Sequence, residues 1–145
     1  AAPRRVHAMS RSATSGVDLT TMATMEFADG MLAQISCTFA TARHRHAFIA
    51  GDAGSIATTY FNDTSPAFPP LLEVKRGTGW DAAREVIETA AASGFLAEAE
   101  AFHDLVRSGW THWTGATPSE SIDIARTLDA LATSARQGVP VVVGD

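Results

Sequence analysis

The sequence predicts an α+β fold: an open-faced, mainly antiparallel (mixed) β-sheet with helices packed on one face. Three observations predict it. Strand-like segments come first, two helical stripes follow, and a short β-branched run closes the order. A hairpin centred on Ala28-Asp29-Gly30 alternates polar and apolar residues, so its sheet must have one buried face. Residues 117–143 carry every start and stop signal of a helix followed by a strand.

The elements can be justified in order. Val6-His7-Ala8-Met9-Ser10 reads as a first strand, and residues 12–16 as a polar loop. Residues 20–27 and 31–39 flank the hairpin turn. A two-residue Asp-Gly turn would put Phe27 on the side of Leu32, Gln34, Ser36 and Thr38. A three-residue loop, with Gly30 as the left-handed residue of a bulge, instead pairs Phe27 with Met31. Ala23, Met25 and Phe27 then share a face with Ala33, Ile35, Cys37 and Phe39, and a polar set rich in Thr, Ser and Gln takes the other. The second register separates the two classes better and is preferred. Residues 46–50 and 55–60 are strands around the tight Gly51-Asp52-Ala53-Gly54 connection, residues 62–70 form a proline-rich loop, and residues 71–76 are a strand. Residues 81–92 favour helix by propensity, although Val86-Ile87 would also suit a short strand. Phe95, Ala99, Phe102 and Val106 make a helical stripe with Ser93 as N-cap and Gly109 as stop. In the last helix Thr117 caps, Pro118 takes N1, Glu120 closes a capping box, and Ile124, Leu128, Leu131 and Ala135 form the stripe up to Gly138.

The 145 residues fit one domain, and their 46% hydrophobic and 19% charged composition is that of an ordinary globular chain. A net charge of −5 with no basic run argues against nucleic acid as a partner. No apolar stretch approaches the roughly 20 residues that span a bilayer. The start has no apolar signal-peptide region, and the single cysteine, Cys37, suits a reducing cytoplasm.

Candidate chemistry is sparse. Gly77-Thr78-Gly79-Trp80-Asp81-Ala82 fits the dinucleotide pattern G-x-G-x-x-A after a strand. The pattern needs a second parallel strand after its helix, and a second helical stripe follows instead, so the segment reads as a surface turn. His44 and His46 could face one side of a strand, but Arg43 and Arg45 would repel a cation and no third ligand is near. His103 borders an apolar stripe, and His112 sits between Trp110 and Trp113 in a connection. Cys37 falls on the apolar face and reads as a core thiol. Glu98 and Glu100 are two apart on a helix and point in different directions. No catalytic, cofactor-binding or metal residue is assigned.

Several ordered stretches together resemble a known family. They are Gly16-Val17-Asp18; Met25-Glu26-Phe27-Ala28-Asp29-Gly30-Met31-Leu32-Ala33 running to Ser36-Cys37-Thr38-Phe39; and Ile49-Ala50-Gly51-Asp52-Ala53-Gly54-Ser55-Ile56. After these come Glu98-Ala99-Glu100-Ala101-Phe102 with Val106 and Gly109, Pro118-Ser119-Glu120-Ser121, and Leu128-Asp129-Ala130-Leu131 with Ser134-Ala135-Arg136 and Gly138. The set resembles the C-terminal domain of the Gfo/Idh/MocA oxidoreductases, the glucose–fructose oxidoreductase and inositol dehydrogenase group, with the sugar-dehydrogenase-like branch most similar.

The resemblance implies a parent enzyme with an NAD(P)-binding Rossmann domain first and this domain second. The second domain would line the substrate pocket and build homo-oligomers through its bare sheet face. The family's catalytic Lys of a Glu-Lys-Pro motif, and its Asp and His after a glycine-rich segment, have no counterpart here; the only lysine is Lys75. The expectation is therefore a C-terminal piece, inactive alone, from an enzyme that uses NAD or NADP on a sugar, polyol or related compound. Phe39, Arg43, His46 and Phe61 are the candidate substrate-proximal residues. Phe102, Leu128 and Leu131 are expected to anchor helices on the sheet. The alternative is a free-standing binding or assembly module of the same fold.

Overall fold

A computed structural model of the chain describes residues 2–59, 71–89 and 92–144. In chain order the elements are β1 (Arg5–Ser12), β2 (Asp18–Glu26), β3 (Leu32–Thr38), β4 (His46–Gly51), β5 (Gly54–Thr59), β6 (Leu71–Arg76), β7 (Arg84–Glu88), α1 (Gly94–Ser108), α2 (Pro118–Gln137) and β8 (Val141–Val142). They form two compact units, Ala1–Ala42 with Ala116–Asp145, and Arg43–Gly115. Each holds a four-stranded sheet, in the orders β3-β2-β1-β8 and β4-β5-β6-β7. The fold class is α+β, and every strand pairing among the described residues is antiparallel.

In the first unit the hairpin takes the three-residue register. Glu26 pairs with Leu32 and Met25 with Ala33. The Phe27 N–H donates to the Met31 carbonyl at 2.9 Å, and Gly30 has a φ of 87°. Val6, Ala8, Ala23 and Met25 consequently share one face, where they meet Ala130, Leu131, Ala135, Val141 and Val143. The opposite face carries His7, Met9, Thr20, Met22, Thr24, Glu26, Leu32, Gln34, Ser36 and Thr38 and has no helix of this unit over it.

The reason α2 can sit so close is side-chain size. Ala8, Ala23 and Ala130 are all small and buried, and Ser134 is 0% exposed. The Ser134 hydroxyl accepts from the Ala8 N–H at 2.9 Å and donates to the Val139 carbonyl at 2.7 Å. The β1–β8 register, Arg5 with Val142 and Val6 with Val141, would place Val139 opposite Ala8 if it continued. The hydroxyl thus stands in for a ladder hydrogen bond where the two backbones have parted, and satisfies a buried donor and acceptor together.

This seating corrects the expected helix face. The side chains turned inward run through Asp123, Thr127, Ala130, Leu131 and Ser134, one residue out of step with the apolar stripe. Leu131 is the anchor it was expected to be, but Leu128 is 61% exposed. Small residues let the helix backbone approach the sheet, and that preference outweighs burial of Leu128 and Ile124. Cys37 is on the predicted face but exposed, because the buried cluster formed with α2 extends over β1 and β2 and does not include that end of β3.

The α2 termini follow the sequence signals. The Glu120 N–H donates to Thr117 Oγ1 at 3.2 Å, and the Thr117 N–H donates to Glu120 Oε2 at 2.8 Å. The backbone hydrogen bond from Thr117, followed by its hydroxyl, holds the Glu120 carboxyl below the usual glutamate value. Gly138 closes the helix in the left-handed conformation, its N–H donating to the Ser134 carbonyl.

In the second unit β4 and β5 are joined through Asp52 and Ala53, with Gly51 opposite Gly54. Gly54 has a φ of 141°, and a Cβ there would overlap the Lys75 carbonyl oxygen. Only glycine lets β5 lie against β6 at that point. Residues 84–88 form β7 rather than the helix that propensity favours over 81–92. Pairing with β6 gives Val86 and Ile87 a place in a sheet, and Arg84–Glu73 and Arg76–Glu85 ion pairs of 3.3 and 3.4 Å tie the two strands. Helix α1 is capped by Ser93 and ends at Gly109 as expected, but it buries none of its residues, and Phe102, the expected anchor, is exposed.

Three predictions follow from α2. Ser134→Ala, which strands the Ala8 N–H and the Val139 carbonyl, should lower unfolding stability by about 1–3 kcal/mol. Leu131→Ala should lower it by about 2–5 kcal/mol and Leu128→Ala by much less, in urea melts of the purified chain. The depressed Glu120 carboxyl stabilises the helix start fully above the ordinary glutamate value, and that stabilisation is lost as pH falls through the lowered folded value. Backbone chemical shifts of the first α2 turn should therefore move on acidification, and Glu120→Gln should flatten that response.

Candidate functional site

Two regions offer polar chemistry. The first is the bare face of β1–β2–β3. One row across it is His7, Thr24 and Gln34; the next is Arg5, Glu26 and Leu32. Arg4 and Arg5 both reach Glu26, at 3.1 and 2.6 Å. Further along, the Thr20 and Thr38 hydroxyls share a hydrogen bond of 2.8 Å. A shallow depression of about 400 Å³ runs over Arg5, His7, Thr24, Glu26, Leu32 and Gln34. With Met9, Met22 and Leu32 exposed among these groups, the face mixes apolar area with satisfied polar pairs. It holds no nucleophile paired with a base.

The second region is the stretch leading from β3 to β4. Phe39, 88% exposed, follows β3 and is tied by its N–H to the Leu19 carbonyl at 2.9 Å. The Ala40 N–H donates to Thr38 Oγ1. Arg43, His44 and His46 are exposed, and the two imidazole rings lie 4.8 Å apart between centroids at an angle of 49°. His46 opens β4, opposite Thr59. Among the sequence candidates Phe39 belongs to the first unit, Arg43 and His46 to the second, and Phe61 lies outside the described residues. The His44–His46 ring contact agrees with the shared side that their i, i+2 spacing suggests, whereas the exposed Phe48 on β4 was not singled out from sequence.

The other motifs resolve plainly. Gly77 and Gly79 lie in the turn joining β6 to β7, where the Ala82 N–H donates to the Gly79 carbonyl. An antiparallel strand follows, so no helix N-terminus faces the glycines and the segment does not fit a pyrophosphate. Trp110 and Trp113 pack edge to face at 5.9 Å and brace the turn after α1. Among the described residues no group of three His, Cys, Asp or Glu side chains could hold a metal ion. No described helix is long and apolar enough to cross a membrane.

Comparison with known proteins adds the decisive observation. Residues 1–57 match the family model of the GFO/IDH/MocA C-terminal domain.

The match agrees with the resemblance read from the sequence over those 57 residues, and solved structures share the fold across nearly the whole chain. An aldose-aldose oxidoreductase from Caulobacter crescentus, complexed with glycerol, is similar over 98% of this chain and 42% of its own, with a TM-score of 0.76 and 14% identity. A putative NADPH-dependent oxidoreductase from Desulfitobacterium hafniense is similar over 97% of this chain and 42% of its own, with a TM-score of 0.78 and 15% identity. A levoglucosan dehydrogenase, complexed with NADH and levoglucosan, covers 99% of this chain and 46% of its own, with a TM-score of 0.75 and 18% identity. The chain therefore spans less than half the length of these structures. No curated protein sequence matches it significantly.

The exposure of Cys37 gives a direct check. Its thiol should react stoichiometrically with a disulfide reagent in the native chain, without denaturant. A thiol that reacts only after unfolding would show that the far end of β3 is covered.

Proposed function

We propose that residues 1–145 are a single C-terminal domain of an NAD(P)-dependent oxidoreductase acting on a sugar, polyol or related hydroxyl or carbonyl compound. In this reading the domain supplies the substrate side and the oligomer contacts and has no catalytic activity alone. The observation that carries the reading is the fold match over 97–99% of the chain, joined to the family match of its first 57 residues. The names and ligands of the similar structures, glycerol in one and NADH with levoglucosan in another, support a polyhydroxylated substrate and a nicotinamide cofactor.

The chemistry of the residues agrees with a division of labour. The Gly77–Gly79 turn has no helix start to receive a pyrophosphate, so NAD or NADP is held by residues outside this chain. The nicotinamide supplies hydride chemistry when bound. Phe39, Arg43, His46 and Phe61 are the residues we propose as substrate-proximal in the parent enzyme. The bare face of β1–β2–β3, with its exposed Met9, Met22 and Leu32, is the homo-oligomer surface. The parent enzyme works in the cytoplasm.

The test uses the complete reading frame and this chain side by side. The complete product should oxidise or reduce a sugar or polyol in a cofactor-dependent way. The 145-residue chain should show no saturable change in NADH or NADPH fluorescence and should form dimers or larger species in light scattering. Cofactor binding by the chain alone would overturn its non-catalytic assignment, a monomer would overturn the interface, and a complete product without cofactor-dependent turnover would overturn the enzyme.

A further inference from the structure

Helix α2 covers only part of the sheet it packs on. Four strands spaced about 4.8 Å apart make a sheet roughly 19 Å wide, and a helix with its side chains is about 10–12 Å across. The packing of α2 on the sheet is chiefly with β1 and β8. The strand order β3-β2-β1-β8 therefore leaves the same side of the sheet open toward β3.

The two flanks of α2 can be told apart. A Cβ on Gly144, just past β8, would lie 3.5 Å from Arg126 Cδ, so Arg126 is on the β8 side. At about 3.6 residues per turn, Ile124 and Leu128 each sit about 160° around the helix from Arg126, on the flank toward β3. Both are exposed. Beside that flank the sheet presents Ala33, Ile35 and Cys37 of β3, on the face of Val6, Ala8 and Ser10. Ile35 and Cys37 are exposed as well. Helix flank and strand form the wall and floor of a trough roughly 23 Å long, the length of β3, and about one helix wide.

The trough suits a helix. Its floor carries no charged side chain, and the Ser10 and Thr21 hydroxyls at its far end are bonded to each other at 2.7 Å, so covering them strands no polar group. Ala33 and Cys37 are small, as Ala8 and Ala23 are in the cluster with α2, and admit an equally close helix backbone. A flat sheet from a second copy is kept out, because α2 rises about 10 Å, one helix diameter, above the floor.

Area decides where such a helix comes from. The footprint of the trough is about 230 Å², far below the roughly 800 Å² per partner of a stable complex between separate molecules. A helix on the same polypeptide needs no such area, because tethering makes its docking intramolecular. This chain matches less than half the length of each solved structure above. Read as a C-terminal domain, it leaves most of its protein outside residues 1–145.

We propose that the trough between α2 and β3 seats an amphipathic helix of about 15 residues, supplied by the part of the complete protein outside residues 1–145, with its apolar stripe against Ile35, Ile124 and Leu128. The proposal rests on the C-terminal-domain reading and adds to it which surface of this chain receives the rest of the protein.

Cys37 reports on the trough. It lies on the side of the sheet opposite the bare face, so association through that face leaves it open. Labelling of Cys37 by N-ethylmaleimide under native conditions is timed by mass spectrometry of its peptide, in the 145-residue chain and in the product of the complete reading frame. The complete product should label at least about tenfold more slowly. Leu128→Asp should return it to the fast rate, and should leave the 145-residue chain unchanged because Leu128 is exposed there. Ile122→Asp, on the outward side of α2 opposite Leu131, should leave the slow rate as it is. Equal rates in the two proteins, protection that survives Leu128→Asp, or equal release by Ile122→Asp would each overturn the proposal. Protection in the 145-residue chain that grows with its concentration would overturn it too, since a second copy would then fill the trough. A complete product with Cys37 protected but without cofactor-dependent turnover would overturn only the oxidoreductase reading, and turnover with Cys37 open only the helix seat.

Discussion

The first unit depends on one hydroxyl. Ser134 joins Ala8 of β1 to Val139, just ahead of β8, and is itself part of α2. It therefore fixes three elements at once. The position admits little else: its side chain is fully buried and bonded to the Ala8 and Val139 backbones, so a larger one would be overpacked there. A hydroxyl satisfies both backbone groups, while an aliphatic side chain of similar size satisfies neither. The exposure of Leu128 follows from that close approach.

Much of this was legible in the sequence, for physical reasons. The hairpin register could be read because alternation has a period of two and only one loop length separates polar from apolar residues. The ends of α2 could be read because a capping box, a proline at N1 and a glycine stop are local signals. Strand β7 was left open beside a helix, because Val86-Ile87 is a short run among helix formers and the strand depends on pairing with β6. The inward face of α2 was missed by one residue because periodicity counts apolar side chains, whereas here small residues decide the approach. Cys37 was assigned to the core by its strand face alone, and a face is buried only as far as its covering helix extends.

The functional reading was legible at the level of family and silent at the level of chemistry. Short stretches in a fixed order pointed to a Gfo/Idh/MocA C-terminal domain, and the fold agrees. No nucleophile–base or metal-ligand spacing stood out in the sequence, so no catalytic group could be assigned from it. The substrate-facing candidates came from loop positions, where a pattern carries little information. The structure adds the contact of the His44 and His46 imidazole rings, which no composition or hydropathy argument provides.

The order of the chain also shapes how the first unit is made. Its sheet begins with β1 and is completed by α2 and β8, and the bond between Ala8 and Ser134 closes a separation of 126 residues. The second unit is spelled out entirely between those parts. During synthesis at roughly 5–20 residues per second, the β1–β2–β3 meander waits several seconds with its apolar face open. In that interval Val6, Met25 and Ile35 form a ready surface for a chaperone or for another nascent chain.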